Sequence, residues 1–256
     1  MKRLITRDPS SDQVPFLLLL PNLVTLTGMC LGLTSIRFAM DERFSVAVLL
    51  LLLAALIDGL DGLLARRLSA TSNFGAELDS LSDFLCFGVA PGILVYQYHL
   101  APIGSLGWIA VLIFAAACCL RLARFNVMRG TGDPSEEEVA DKNKTYFVGV
   151  PAPAGAMLGL LPVFATQAGF LSMDTPALLM AVWLGFVALL MVSRLKTISP
   201  KGLRIPRGMV AVLMFALVFG IGLIFTRPWT LLVVVDLAYV ALLIQGIIKA
   251  RGRLFS

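Results

Sequence analysis

Apolar residues in this chain come in blocks too long for the core of a globular domain. Residues 46–56, 209–224 and 231–244 are almost wholly apolar. A stretch of roughly 18 or more such residues reads as a membrane-spanning helix. In hydrocarbon the backbone has no water to bond, so a span must satisfy its own N–H and C=O groups, as a helix does. Composition agrees: 58% of the 256 residues are hydrophobic and 14% are charged, whereas a soluble domain carries about a quarter charged residues. The expected fold is an all-α, polytopic membrane helix bundle.

The blocks divide into eight spans, at 15–37, 44–65, 76–98, 105–125, 150–171, 176–193, 209–226 and 229–248. With the N-terminus placed in the cytoplasm, 18 of the 21 Lys and Arg fall on the cytoplasmic side, and only Arg37, Arg43 and Arg227 fall opposite. The positive-inside rule then puts both termini in the cytoplasm. The expected organisation is one membrane domain over 1–256. It has a cytoplasmic N-terminal segment at 1–14, a helix pair at 44–98 and a polar cytoplasmic loop at 129–149. The first span has no small-residue cleavage pattern behind it and is expected to stay. The net charge of +5 needs no nucleic-acid partner; the basic residues are topological anchors and contacts for lipid headgroups. Cys30, Cys86, Cys118 and Cys119 all lie in apolar segments and read as small apolar filler.

The second and third spans carry acids where a membrane helix should avoid them: Asp58, Asp61, Asp79 and Asp83. Each costs about 2.5–3.5 kcal/mol near the centre of an isolated span. Such residues face a wet cavity or the bundle interior and mark function. At about 100° per residue, Asp58, Asp61, Gly62, Ala65 and Arg66 share a face roughly 140° wide. Gly75, Asp79 and Asp83 follow i, i+4, i+8 and form one stripe, with Glu77 off it. Only residues 67–74 separate the two segments, which makes the helices antiparallel neighbours. With about 1.5 Å of rise per residue, Asp58 and Asp83 both lie roughly 12 Å inward from the connection, and Asp61 and Asp79 roughly 6–8 Å. Four carboxylates at one level repel one another, and a divalent cation offsets that repulsion. An all-oxygen set suits Mg²⁺, Mn²⁺ or Ca²⁺ rather than zinc, and Mg²⁺ sites commonly add substrate phosphates. Gly62 and Gly75 remove bulk from the same faces, and Arg66 at the rim suits a phosphate oxygen. Taken singly, Gly62, Ala65 and Gly75 also fit helix packing, and Arg66 also fits topological anchoring.

The run DGLDGLLARRLSATSNFGAELDSLSD, residues 58–83, resembles the signature of the CDP-alcohol phosphatidyltransferase family, D-x2-D-G-x2-A-R-x8-G-x3-D-x3-D. All eight specified positions match: Asp58, Asp61, Gly62, Ala65, Arg66, Gly75, Asp79 and Asp83. The segments PNLVTLTGMCLGLTSI (21–36), RLARFNV (121–127), FVGVPAPAGA (147–156) and LMVSRLKT (190–197) are similar to the membrane-embedded, serine-using branch of that family. The resemblance implies that Asp58, Asp61 and Asp79 hold Mg²⁺ or Mn²⁺ with the diphosphate of CDP-diacylglycerol. It implies that Asp83 completes the metal site and is the general base, and that Gly62, Ala65, Arg66 and Gly75 contact the CDP moiety. It further implies a homodimer in the inner membrane, with L-serine as acceptor and the site open to the cytoplasm.

Arg121, Arg124 and Asn126 end the fourth span near the level of the acids. They are candidates for the acceptor, since a carboxylate wants an Arg partner; topological anchoring explains either Arg as well. Lys144 and Arg194 are weaker candidates of the same kind. Another alcohol acceptor (glycerol-3-phosphate, inositol phosphate or choline) would fit the same basic residues. A cation transporter or channel would use the same carboxylates, but those lie toward one side of the membrane and no paired repeat halves are visible. His99 is expected in a loop or at the far interface. Asp236 is expected to make a buried polar or helix-partner contact outside the site.

Overall fold

The computed structural model describes residues 16–68, 72–130, 146–193, 196–198, 219–220 and 222–251. The expected N-terminal segment at 1–14, Lys144, Arg194 and most of the 129–149 loop lie outside them. Seven long helical elements run in chain order: α1 (Phe16–Met40), α2 (Phe44–Arg67), α3 (Asn73–Ile103), α4 (Ser105–Gly130), α5 (Ala152–Gln167), α6 (Ala177–Val192) and α7 (Pro228–Arg251). Among the described residues α1, α2, α3, α4 and α7 are long and apolar enough to cross a membrane, and α5 and α6 are shorter apolar helices. Seven of the eight expected spans thus have a helix at their position. The expected span at 209–226 falls mostly outside the described residues.

Large apolar side chains line the outside of the bundle. Leu56, Leu112 and Leu189 are 62%, 51% and 71% exposed, a surface that water would penalise heavily and lipid tails would not. The chain is an integral membrane protein. Its core is built around α5, where Ala152, Gly155, Ala156, Leu158, Gly159, Leu160 and Phe164 are buried. Gly159 admits Phe114 of α4, whose ring would stand 3.2 Å from a Cβ there. Trp183 of α6 donates its indole N–H to the Leu158 carbonyl at 2.8 Å.

α1 and α2 form a hairpin whose turn is closed by Arg43 N–H to Phe38 O (2.9 Å) and Glu42 N–H to Ala39 O (3.1 Å). Ser35 fastens it by donating to Ala47 O at 2.8 Å. α3 is not uniform. It opens as an α-helix over Asn73–Asp83, widens to a π-turn at Phe84–Val89, narrows at Ala90–Val95 and widens again at Tyr96–Leu100. Each π-turn ends just before a proline, Pro91 or Pro102. Proline has no N–H and its ring clashes with the carbonyl four residues back. The chain relieves the clash with i−5 bonds, Ala90 N–H to Leu85 O and Ala101 N–H to Tyr96 O.

Two findings depart from the sequence expectation. His99 is buried inside α3, with Nε2 3.3 Å from the Thr166 hydroxyl of α5, because the second π-turn carries the helix through a position read as a loop. A three-residue antiparallel ribbon, β1 (Tyr146–Val148) with β2 (Lys196–Ile198), pairs Phe147 with Thr197. It joins the start of α5 to the end of α6 in an otherwise helical fold.

Gly107 is a close-approach position, since a Cβ there would meet the Leu100 carbonyl oxygen at 2.5 Å. Gly107→Ala should destabilise the protein by about 1–3 kcal/mol through overpacking against backbone. At Gly185 a Cβ meets nothing within 4 Å, so Gly185→Ala should leave the melting temperature unchanged or raised. Thermal melts in detergent followed by far-UV circular dichroism check both.

Candidate active site

The last turns of α2 and the first turns of α3 meet at one end of the bundle. Ser72 caps α3 by accepting from Gly75 N–H at 3.0 Å, which fixes where the helix starts and so where its acids point. Each of Asp58, Asp61 and Asp79 offers a carboxylate oxygen, and these oxygens lie within 4.8 Å of one another. Asp83 joins them through a side-chain hydrogen bond to Asp58. Two ionised carboxylates are acceptors only and cannot make that contact without a shared proton or a cation. The second oxygen of Asp83, Oδ1, is buried with no hydrogen-bond partner among the described residues. An all-oxygen set of this kind can hold a hard divalent ion.

α1 braces the cluster. Thr25 is buried and its hydroxyl lies 2.6 Å from Asp61 Oδ2, donating to the carboxylate. Below it, Cys86 Sγ lies 3.5 Å from Gly28 O, and a Cβ at Gly32 would come within 2.7 Å of the same sulfur. The small faces of α1 therefore let α3 sit close and hold Thr25 at the height of Asp61. The sequence reading missed Thr25. A polar residue one turn before two glycines spaced by four was the available signal.

The two motif glycines behave differently. At Gly62 a Cβ would meet nothing within 4 Å, so the α2 face beside Asp61 is open. At Gly75 a Cβ would stand 2.9 Å from Asn22 Oδ1 and 3.2 Å from Ser72 Oγ, so α1 takes up the room there. The side chains of Ala65 and Arg66 lie outside the described residues; the helix runs through both. Glu77, off the stripe, is exposed.

α4 runs antiparallel beside α3 in steady register. Gly88 abuts Cys118, and eight residues on along each helix Asn126 Nδ2 donates to Ser80 Oγ at 2.9 Å. This sets the half-buried Arg121 beside the cluster, within electrostatic range of Asp83 and of Tyr239 on α7. Its Nε has no hydrogen-bond partner among the described residues. Arg124 donates Nη1 to Val192 O at 3.2 Å, closing the last turn of α6. Of the three residues expected near the acceptor, Asn126 and Arg124 each hold a neighbouring helix, and Arg121 faces the acids.

Residues 18–192 match the family of CDP-alcohol phosphatidyltransferases. The chain belongs to that family. The matched CDP-alcohol phosphatidyltransferase region runs from α1 through α6, includes the whole cluster and leaves α7 outside. Curated relatives agree. A CDP-diacylglycerol–serine O-phosphatidyltransferase of Mycobacterium leprae is 35% identical over 238 residues, 92% of this chain and 76% of its own. One of Helicobacter pylori strain J99 is 36% identical over 234 residues, 91% of each chain. One of Methanocaldococcus jannaschii is 34% identical over 173 residues, 68% of this chain and 70% of its own. This CDP-alcohol phosphatidyltransferase is therefore an enzyme of phospholipid synthesis embedded in a membrane.

Thr25→Val keeps the side-chain shape and removes the donor to Asp61. Outer-shell partners of metal ligands are worth about 10–100-fold in metal affinity. The variant should need about tenfold more divalent ion for half-maximal activity, read from a metal titration of CMP release.

Proposed function

We propose that the enzyme transfers the phosphatidyl group of CDP-diacylglycerol to L-serine, giving phosphatidylserine and CMP, with Asp83 as general base. The observation that carries this is the meeting of four carboxylates from two neighbouring helices at one end of the bundle, in a chain whose curated relatives bear serine-transferase names. The serine hydroxyl attacks the phosphorus that carries diacylglycerol. A new P–O bond forms, the P–O bond to CMP breaks and CMP leaves with the electron pair. The hydroxyl proton passes to Asp83. A serine hydroxyl is a weak nucleophile near neutral pH, so a positioned carboxylate is useful.

Asp58, Asp61, Asp79 and Asp83 are the residues that would hold Mg²⁺ or Mn²⁺; the all-oxygen donor set and the orphaned Asp83 Oδ1 fit such an ion. Bound there with the diphosphate, it would neutralise developing charge. The open face at Gly62 supports a CDP moiety lying along α2, with Ala65 and Arg66 continuing that face and Gly75 at its edge. Arg121 faces the acceptor, and Arg124 and Asn126 frame its side of the site. The charge asymmetry of the connecting segments supports eight spans, both termini and the site on the cytoplasmic side, and an inner-membrane location. A homodimer is the assembly that the family resemblance implies.

Asp83→Asn should lower turnover by about 10²–10⁴-fold while the protein keeps its helical spectrum; near-normal turnover refutes the base assignment. EDTA should abolish CMP release and added Mg²⁺ or Mn²⁺ restore it. Incubation with CDP-diacylglycerol and each labelled alcohol in turn should yield lipid product with L-serine. Product with glycerol-3-phosphate, inositol phosphate or choline instead would assign another acceptor.

A further inference from the structure

α3 and α4 pack along a seam whose two halves are built differently. In the half away from the acids the helices touch closely. A Cβ at Gly88 would stand 3.0 Å from the Cβ of Cys118, and one at Gly92 would stand 3.0 Å from Cγ1 of Val111. Such contacts fix the spacing of the helices, but apolar contact is non-directional. In the half beside the acids the seam carries a polar pair, Ser80 and Asn126, both half-buried. Asn126 Nδ2 lies 2.9 Å from Ser80 Oγ, and its Oδ1 lies 3.2 Å away. A hydroxyl has one proton to give, and Ala76 O takes it at 3.0 Å. Asn126 is therefore the donor. A hydrogen bond weakens steeply as its angle opens, so this one resists rotation of α4 about its own axis.

Arg121, on the same helix, depends on that rotation. It is half-buried and within electrostatic range of Asp83. Its Nε has no hydrogen-bond partner among the described residues, so no bond at that atom aims the guanidinium. Its direction follows from where α4 places its backbone. At about 100° per residue, Arg121 and Asn126 lie about 140° apart around α4, and a roll that breaks the Ser80 bond swings Arg121 as well. A side-chain tip lies about 5–6 Å from the helix axis, so a roll of about 20° carries it roughly 2 Å. A misplacement of about 1 Å can cost about a hundredfold in rate. Ser80 directly follows Asp79 in the chain. The bond is thus made to a helix that carries two of the four acids, and it registers Arg121 against them.

We infer that Asn126 is a positioning residue for the acceptor: its bond to Ser80 holds the roll of α4 and keeps the Arg121 guanidinium on the side of Asp83. The inference rests on the proposed transfer to serine, with Arg121 facing the acceptor. Asn126 acts through Arg121 rather than on the acceptor, because its amide is engaged with Ser80. Interhelical hydrogen bonds of this kind contribute little to the stability of a membrane bundle, since the unfolded chain finds other partners in the bilayer. Without the bond the bundle still stands, and what it loses is the aim of Arg121.

The test uses purified full-length enzyme in mixed micelles with CDP-diacylglycerol, L-serine and Mg²⁺ or Mn²⁺. Asn126→Ala and Ser80→Ala remove the bond from either side. Each should raise the KM for L-serine by about tenfold, with the KM for CDP-diacylglycerol and the metal requirement within about twofold of wild type. The melting temperature should stay close to that of the wild type. Arg121→Met removes the guanidinium and should raise the serine KM by itself. Adding Asn126→Ala to it should raise that KM by less than about twofold more, because no guanidinium is left to aim. An unchanged serine KM in both alanine variants overturns the assignment. So does an equal rise in the KM for CDP-diacylglycerol, or a double variant in which the two single effects multiply. If serine is turned over and Arg121→Met leaves its KM unchanged, Arg121 does not serve the acceptor and the inference falls. A wild-type enzyme that turns over CDP-diacylglycerol with another alcohol and not with serine sinks the acceptor reading first, before any variant is made, and this inference with it.

Discussion

Carboxylates crowded together at one end of an apolar bundle repel one another, so everything near Asp58, Asp61, Asp79 and Asp83 is arranged to make their company tolerable. α2 and α3 can present them side by side only because the short connection forces the helices antiparallel and the Ser72 cap fixes where α3 begins. α1 then adds a hydroxyl to Asp61, and α4 sets a guanidinium beside Asp83. Each contact is polar, and each sits toward the same end of its helix. The rest of every helix is left free to be apolar.

That division explains how the bundle holds together without a hydrophobic driving force between its helices. Lipid tails are as apolar as leucine, so close packing and a few hydrogen bonds must do the work. The small faces of α1 against Cys86, Gly159 against Phe114, and the Trp183 and Ser35 bonds to opposing carbonyls are such contacts. Arg124 and Asn126 extend the same logic to the site end. Their bonds to Val192 O and Ser80 tie α4 to α6 and α3, so the helix bearing Arg121 is held from both sides.

Much of this was legible in the chain. Hydrophobic blocks located seven helices, and a period of 3.6 put the acids of α2 on one face and those of α3 on one stripe. The short connection made the two helices partners. What local periodicity does not contain is the identity of a neighbour from elsewhere in the sequence. It gave Gly75 a vacancy that Asn22 takes up, and it had no means of finding Thr25, because a hydroxyl in an apolar helix gains meaning only from the acid across from it. Arg121, Arg124 and Asn126 looked alike by position; the structure separates them by what each touches. His99 was misjudged because a π-turn is invisible to a rule that assumes one helical pitch.

Those π-turns have a mechanical consequence. A helix of constant pitch locks the azimuth of one end to that of the other, so any change in how its far half seats would swing the acids at its start. Each widened turn of α3 accommodates about one extra residue and behaves as a phase-shifting coupling. The half of α3 beyond Pro91 can settle into its own seat among α4, α5 and α6, while the half before it keeps its aim.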